Sequence, residues 1–497
     1  MRRFSERVGI VSFFVVLSRV TGLFREMALA FFLGAGQITD SLFVGWSIPN
    51  IFRRFFADGL VAPAFVPAFT RARKENQISS AFSSVFGQVI LITGALSIIL
   101  FVLSPFIPYV LSPGFSPEGK KLASFFTASL SFYLFFVSVA VLLSALLNSF
   151  HIFGLPASTM SIFNVSVIFG IFIFHRFYSR PDLGFVFGVF LGVILQILIQ
   201  LIPSAKLVRF SVSFSSSSYS KMVSSAIPPV LLSGAIYQIN FLVSRAIASL
   251  GGEKVISYLT YATRFFELPL GVFVYSLSYV SLPFMSAGGK EREEVFSRSV
   301  FISTAISSVA TVGLCVFSEP IIYFVFGYGK FLQEDVLGTS QALFMYSLGL
   351  VPTAISRILT TDFQATGKLK IPVISGFLSF IFNAVLSFVL VKDLKHVGVA
   401  LASSLSTLIS TIYLVLKSDV SVFKPFFKGV IVSIPSSFLS LAFAYFYLGN
   451  YRFMPRVLSF LVFAGISAFV FLSLLISLKI FAKTLSAIDV KSKNLKN

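Results

Sequence analysis

Seven arginines, Arg19, Arg25, Arg53, Arg54, Arg245, Arg264 and Arg357, stand inside long apolar stretches of the sequence, and no lysine does. A charge at the centre of a membrane-spanning helix costs about 2.5–3.5 kcal/mol on insertion scales, so such residues face a protein interior or a wet cavity and mark function. Arginine in particular presents parallel donors that match the oxygen face of a phosphate, where lysine offers a point charge. Four of the seven fall within the 36 residues from Arg19 to Arg54. The chemistry this suggests is recognition of a phosphate-bearing molecule at membrane depth.

Internal ion pairing is the simpler alternative. Six acids share the same stretches: Glu26, Asp40, Asp58, Glu267, Glu319 and Asp362. Arg54 and Asp58 are four residues apart and Arg264 and Glu267 three apart, so each pair can meet on one helix face. Arg19 and Glu26, two turns apart, also share a face. Pairing can absorb individual arginines, but only three of the six acids lie in the first two stretches, where four arginines cluster. Gly22 lies between Arg19 and Arg25, Pro49 precedes Arg53, and Pro269 and Gly271 follow Arg264. These residues predict bent or broken helix beside the arginines, which a membrane tolerates where the backbone lines a cavity.

The elements that must hold these residues are membrane helices. The 497-residue chain is 56% hydrophobic and 12% charged, with a net charge of +20 and a mean hydropathy of +0.92. Soluble domains carry about 25% charged residues, so this chain cannot cover a water-facing surface. Soluble enzymes, disordered chains and coiled coils are excluded. Long uncharged runs such as 86–103 and 457–478 argue for helices over the alternating strands of a barrel. Breaks of Gly, Pro and charge define about fourteen spans. They cover 8–33, 38–70, 81–110, 122–149, 156–174, 183–205, 222–249, 256–286, 299–326, 336–363, 371–391, 397–416, 429–448 and 457–478. The start, 1–7 before an apolar run, resembles a signal peptide. Arg19, Arg25 and Glu26 interrupt that run without a cleavage pattern, so it reads as a retained first span.

Of the 39 Lys and Arg, 22 fall in segments on one side if the N-terminus is cytoplasmic and 10 in the opposite loops, which predicts both termini inside. The basic charge is therefore topological, and no nucleic-acid partner is expected. One cysteine, Cys315, and three scattered histidines, His151, His175 and His396, supply neither a disulfide framework nor a metal cluster. No metal, cofactor or catalytic residue is predicted.

The chain also echoes itself. Leu17-Ser18 returns at Leu232-Ser233, Leu33-Gly34 at Leu250-Gly251, and Ile162-Phe163-Asn164 at Ile381-Phe382-Asn383, offsets of 215–219 residues. Parallel repeats around a central site are a transporter plan. The expected architecture is an all-α polytopic membrane protein of about fourteen helices. It has an N-terminal six-helix lobe over 1–215 and a C-terminal one over 216–420 around a central cavity. Two further helices and a basic cytoplasmic tail occupy 421–497.

The motifs then bring a resemblance. Ser18-Arg19-Val20-Thr21-Gly22-Leu23-Phe24-Arg25-Glu26, Gly34-Ala35-Gly36, Thr39-Asp40-Ser41-Leu42-Phe43-Val44 and Pro49–Gly59 with its Arg53-Arg54 and Asp58, followed by Phe65-Val66-Pro67, resemble the first two helices of the MurJ/MviN lipid II flippases. Pro113-Gly114-Phe115, Arg264–Gly271 and Tyr346–Leu350 extend it along the chain. Two departures stand out: Asp58 occupies a place where many members have Glu, and Phe363-Gln364-Ala365-Thr366-Gly367-Lys368 is a looser form of the tenth-helix motif.

The resemblance implies a transporter of the superfamily of drug/cation antiporters and polysaccharide flippases, not an enzyme. Its cargo would be lipid II, the undecaprenyl-pyrophosphate-linked disaccharide peptide of peptidoglycan synthesis. Transport would run from the inner to the outer leaflet of the bacterial inner membrane by alternating access, and the protein would serve cell-wall biogenesis and cell shape. It implies a functional monomer among membrane lipids, in contact with the cell-wall machinery. Arg19, Arg25, Arg53 and Arg264 become the substrate-binding set. Asp40, Arg54, Asp58, Glu26 and Glu267 become supporting or gating residues. Some members bind sodium in the second lobe through carboxylates; here span 11 offers Asn383 and Ser387, and no sodium site is expected. No P-loop sequence occurs, so the drive is the membrane potential, an ion gradient or substrate flux. A flippase for another polyprenyl-linked sugar, or a drug exporter, is the neighbouring alternative. A sugar-polymerising enzyme would want grouped outer-loop acids, but Glu118, Asp182, Glu253, Glu334, Asp335 and Asp393 are scattered.

Overall fold

The computed structural model describes residues 2–55, 64–451 and 456–494; Asp58 lies outside the described residues. Among them every regular element is a helix, as the apolar composition requires. In chain order these are α1 (Arg2–Leu33), α2 (Gln37–Arg54), α3 (Val66–Lys74), α4 (Ile78–Leu103), α5 (Ile107–Leu111), α6 (Pro117–Ser131), α7 (Tyr133–Ser149), α8 (Gly154–Tyr178), α9 (Pro181–Ala205) and α10 (Ser218–Ser249). Then come α11 (Val255–Pro269), a π-helical turn (Leu270–Val274), α12 (Tyr275–Ser286), α13 (Gly289–Val316), α14 (Ser318–Phe326), α15 (Gln333–Ser347), α16 (Leu350–Ala365), α17 (Lys370–Lys417), α18 (Phe423–Leu448) and α19 (Arg456–Asn494).

Nine helices among the described residues are long and apolar enough to cross a membrane, and α15 with α16, bent by 44°, makes a tenth. The 48 residues of α17 would run about 70 Å if straight, more than twice the hydrocarbon thickness. The helix instead turns at Lys395, whose φ of 46° and ψ of −126° break it into two. Aromatic residues on α18 face outward: Tyr445 is 84%, Phe446 71% and Phe438 68% exposed. Such a surface suits lipid and would be a liability in water.

Chain contacts form two compact units, Met1–Ser257 with Tyr328–Phe331, and Tyr258–Gly327 with Leu332–Asn497. In the first, α1 packs on α8, α8 on α9, α2 on α6 and α7 on α9. Glycines allow the α8–α9 backbones to touch: a Cβ on Gly170 would meet the Gly184 carbonyl oxygen at 2.4 Å. In the second, α13 packs on α16 and α18, α16 on α17, and α18 on α19. Its core includes Phe296, Val300, Ile358, Leu359 and Phe363, with an aromatic cluster of Phe317, Phe324, Tyr447 and Tyr451.

The backbone is unbroken at two of the places where a bend or break is expected. α1 is continuous through Gly22, and α2 continues through Pro49 to Arg54. Neither residue ends its helix. An alanine methyl at Gly22 would sit in ordinary contact, 3.5 Å from Asn164 Nδ2, so this position faces a side chain of α8. Irregular backbone does follow Arg264, as the π-helical turn after Pro269.

Candidate functional site

Arg25 lies on the face of α1 that packs on α8. Its Nη1 donates to Asn164 Oδ1 at 3.0 Å and its Nη2 to Glu26 Oε1 at 2.7 Å. Neighbours on a helix point about 100° apart, and the length of the arginine closes that gap. Glu26 is buried, while Arg25 keeps 17% of its side chain open. Helix periodicity would join Glu26 to Arg19; the structure pairs it with Arg25, and Arg19 sits exposed on α1.

Arg53 approaches from α2. Its Nε donates to Asn50 Oδ1 at 3.1 Å, and its Nη1 lies 3.9 Å from Met160 Sδ, one turn before Asn164 on α8. Both guanidinium groups thus reach α8, at residues one turn apart. Two guanidinium groups from different helices therefore converge on one place. Aromatic rings support it: Trp46 packs on Tyr133 at 5.0 Å and stacks on Phe163 at 6.3 Å, and Tyr133 meets Phe163 at 5.9 Å. Two arginines, two amides and a rigid aromatic base suit a phosphate anion. The one carboxylate described among them, Glu26, holds Arg25 in an ion pair, which suits binding rather than proton transfer.

The remaining arginines have other surroundings. Arg54 is half-buried at the end of α2. Arg245 on α10 donates to the Phe43 carbonyl and to Ser47 Oγ of α2, and stacks over the rings of Phe43 and Phe241. Arg357 on α16 donates to Ser278 Oγ at 3.2 Å and lies 5.2 Å from the Tyr275 ring centre. Arg264 is half-buried on α11 in the second unit, with Glu267 exposed on the same helix. The structure thus gathers Arg25, Glu26 and Arg53 within one unit and places Arg264 in the other.

The acids also find partners that sequence spacing does not suggest. Asp40, fully buried near the start of α2, accepts from the backbone N–H of Lys254 and of Ser257, each at 2.7 Å, and from the Ser257 hydroxyl. It caps the N-terminus of α11, the helix that carries Arg264, satisfying amides that a helix leaves open. Asp362 takes a two-pronged grip from Arg292, in the first turn of α13, with Nε and Nη2 each at 2.7 Å. Glu319 accepts from Tyr451 at 2.8 Å. Of the acids that the sequence places in loops, Asp182 in the first turn of α9 pairs with Arg180, and Asp335 in the first turn of α15 accepts from the Leu332 amide and the Tyr258 hydroxyl.

Asn164 is the residue of this site that the arginine pattern missed. Its signal was present in the internal repeat, where Ile-Phe-Asn recurs at Asn383. Both asparagines are buried, at 3% exposure.

Comparison with known proteins follows the same line. The family model described as "Lipid II flippase MurJ" matches residues 29–467. A protein of Buchnera aphidicola subsp. Schizaphis graminum named "Probable lipid II flippase MurJ" is 30% identical over 416 residues, covering 81% of this chain and 80% of the relative. A solved structure titled "Lipid II flippase MurJ, inward closed conformation" matches with a TM-score of 0.80 and 28% identity, over 96% of this chain and 99% of that one. A multidrug resistance MATE family transporter in an inward-facing conformation has a TM-score of 0.65 and 15% identity, over 86% of this chain and 97% of that one, which speaks to the fold alone.

Proposed function

The chain belongs to the lipid II flippase MurJ family, and from that premise we propose that it carries lipid II from the inner to the outer leaflet of a bacterial inner membrane, holding the pyrophosphate with arginines. The family is one of transporters, so the protein acts without chemical conversion of its cargo. The observation that carries the reading is the convergence of Arg25 and Arg53 on adjacent turns of α8, at Asn164 and Met160. A pyrophosphate cannot enter hydrocarbon unaided. Guanidinium groups replace its hydration with charge-assisted hydrogen bonds, worth about twice neutral ones. Arg25 and Arg264 contact the pyrophosphate in this reading, and Arg19 and Arg53 support them. Glu26 holds Arg25 in place until the anion displaces it, and Asp40 acts by fixing the start of α11.

The transport cycle in this reading is alternating access by two six-helix lobes, 1–215 and 216–420, with 421–497 added. Both termini are cytoplasmic, a placement supported by the excess of Lys and Arg in the corresponding loops. The protein works as a monomer. The test is complementation of a strain depleted of its lipid II flippase, with expression checked. Arg25→Ala and Arg25→Lys should both fail to support growth, because a lysine cannot span Asn164 and Glu26 with a two-armed grip. Normal growth with both variants would overturn the assigned role of Arg25.

A further inference from the structure

Asn164 does more than fill the α1–α8 interface. Its carbonyl oxygen accepts from Arg25 Nη1 at 3.0 Å, while its amide nitrogen donates to the Ser18 carbonyl at 3.0 Å and faces Thr21 Oγ1 at 3.3 Å. Only one orientation of the amide works. Turned over, its NH2 would meet the guanidinium donors and its oxygen would meet the Ser18 carbonyl. The α1 backbone therefore sets the amide, and the amide sets one arm of Arg25.

The chemistry of the residue matters as much as its place. Arg25 already carries one counter-charge, from Glu26. An aspartate at 164 would have almost the same shape and would grip the guanidinium more strongly. It would also place a second carboxylate on the same cation, giving the group a net negative charge. A phosphate would then be repelled. An asparagine aims the guanidinium and leaves its charge for an anion. The register that delivers it is held by Phe163, packed against Trp46 and Tyr133.

We propose that Asn164 is a positioning and selectivity residue of the anion site, orienting Arg25 without neutralising it, so that the site accepts a pyrophosphate lipid. This rests on the reading that Arg25 contacts the pyrophosphate. The experiment measures binding to the purified full chain in detergent, with undecaprenyl pyrophosphate as probe and undecaprenol as the phosphate-free control. The variants are Asn164→Asp, Asn164→Ala, Gly22→Val and Arg25→Ala. Gly22→Val crowds Asn164 from the α1 side while leaving it in the chain, and so tests the same contact if a substitution at 164 fails to fold.

Asn164→Asp should weaken undecaprenyl pyrophosphate by about tenfold or more, corresponding to about 1.4 kcal/mol. Its undecaprenol affinity should stay at the wild-type level, its thermal stability should fall because the second carboxylate oxygen now faces the Ser18 carbonyl, and the pyrophosphate affinity of Asn164→Ala should be less affected than that of Asn164→Asp. A residue that only packs α8 on α1 would move stability and both lipids together, without that order. Folded Asn164→Asp that binds the pyrophosphate lipid as wild type does, while Arg25→Ala has lost it, would overturn the proposal alone. Wild-type binding by Arg25→Ala would overturn it together with the reading beneath it.

Discussion

Asp40 gives the sharpest quantitative test of how the binding helices are held. Its carboxylate is fully buried and accepts from Lys254 N and Ser257 N, each at 2.7 Å, and from the Ser257 hydroxyl. Hydrogen bonds to a charged group contribute about 1.5–3 kcal/mol each, and a buried donor left unmet costs a similar amount. In Asp40→Asn one oxygen becomes an NH2 facing an N–H, so the expected loss is about 2–4 kcal/mol. Asp40→Ala removes every acceptor, for about 3–5 kcal/mol. The assay is amide hydrogen exchange of a peptide covering 250–260, with the protein in lipid nanodiscs. At tenfold per 1.4 kcal/mol, exchange at Lys254 and Ser257 in Asp40→Asn should quicken roughly 30- to 700-fold. The effect should stay local to the start of α11. Wild-type exchange in both variants, with both folded, would refute the capping argument.

Two further perturbations follow from the same geometry. Asp362→Ala strips a fully buried partner from Arg292 and should cost about 3–5 kcal/mol, read as a lower melting temperature of the purified protein. Asp419, half-exposed beside the same arginine, is held well below the usual carboxylate range by Arg292 and then Lys368. Its contribution is therefore present above about pH 4 and lost as pH falls further, and half-exposure limits it to about 1 kcal/mol or less. The melting difference between wild type and Asp419→Asn should be constant from about pH 5 to 8 and shrink below about pH 4; a difference that instead changes between pH 6 and 8 would contradict the assignment. Gly329 has a φ of 61°, and a Cβ there would lie 2.3 Å from the Phe31 carbonyl oxygen. Gly329→Ala should cost about 1–3 kcal/mol and quicken exchange at Lys330, whose amide donates to Phe31 at 2.9 Å.

The helices were legible because lipid makes apolar length the dominant signal, and among the described residues each predicted interval falls on one α-helix or on two consecutive ones, with the π-helical turn between them in 256–286. The seven arginines were legible for the same reason, since charge is conspicuous among so many apolar residues. Their partners were not. Arg25 meets Asn164 across 139 residues, Asp40 meets Ser257 across 217, and Arg245 meets Phe43 across 202. Periodicity reports neighbours on one helix, and none of these pairs share one. Spacing also says nothing of the Arg25–Glu26 pair, because it ignores how far an arginine reaches around its own helix. The internal repeat pointed at Asn164 without saying why, as an asparagine carries no charge to betray its role. Pro49 misled in a different way. In lipid an unbroken helix is strongly favoured, and α2 keeps its helical course through the proline.

In the proposed cycle, arginines of this chain carry a pyrophosphate-linked lipid across the bilayer. Its most direct test is the translocation of fluorescent lipid II in proteoliposomes, with equal amounts of folded wild-type, Arg25→Ala and Arg53→Ala protein, with and without a membrane potential and ion gradients. Wild type should transfer lipid II between leaflets under at least one of these conditions, and either variant little or none. No lipid II movement by folded wild type under any gradient, or undiminished movement by both variants, would contradict it.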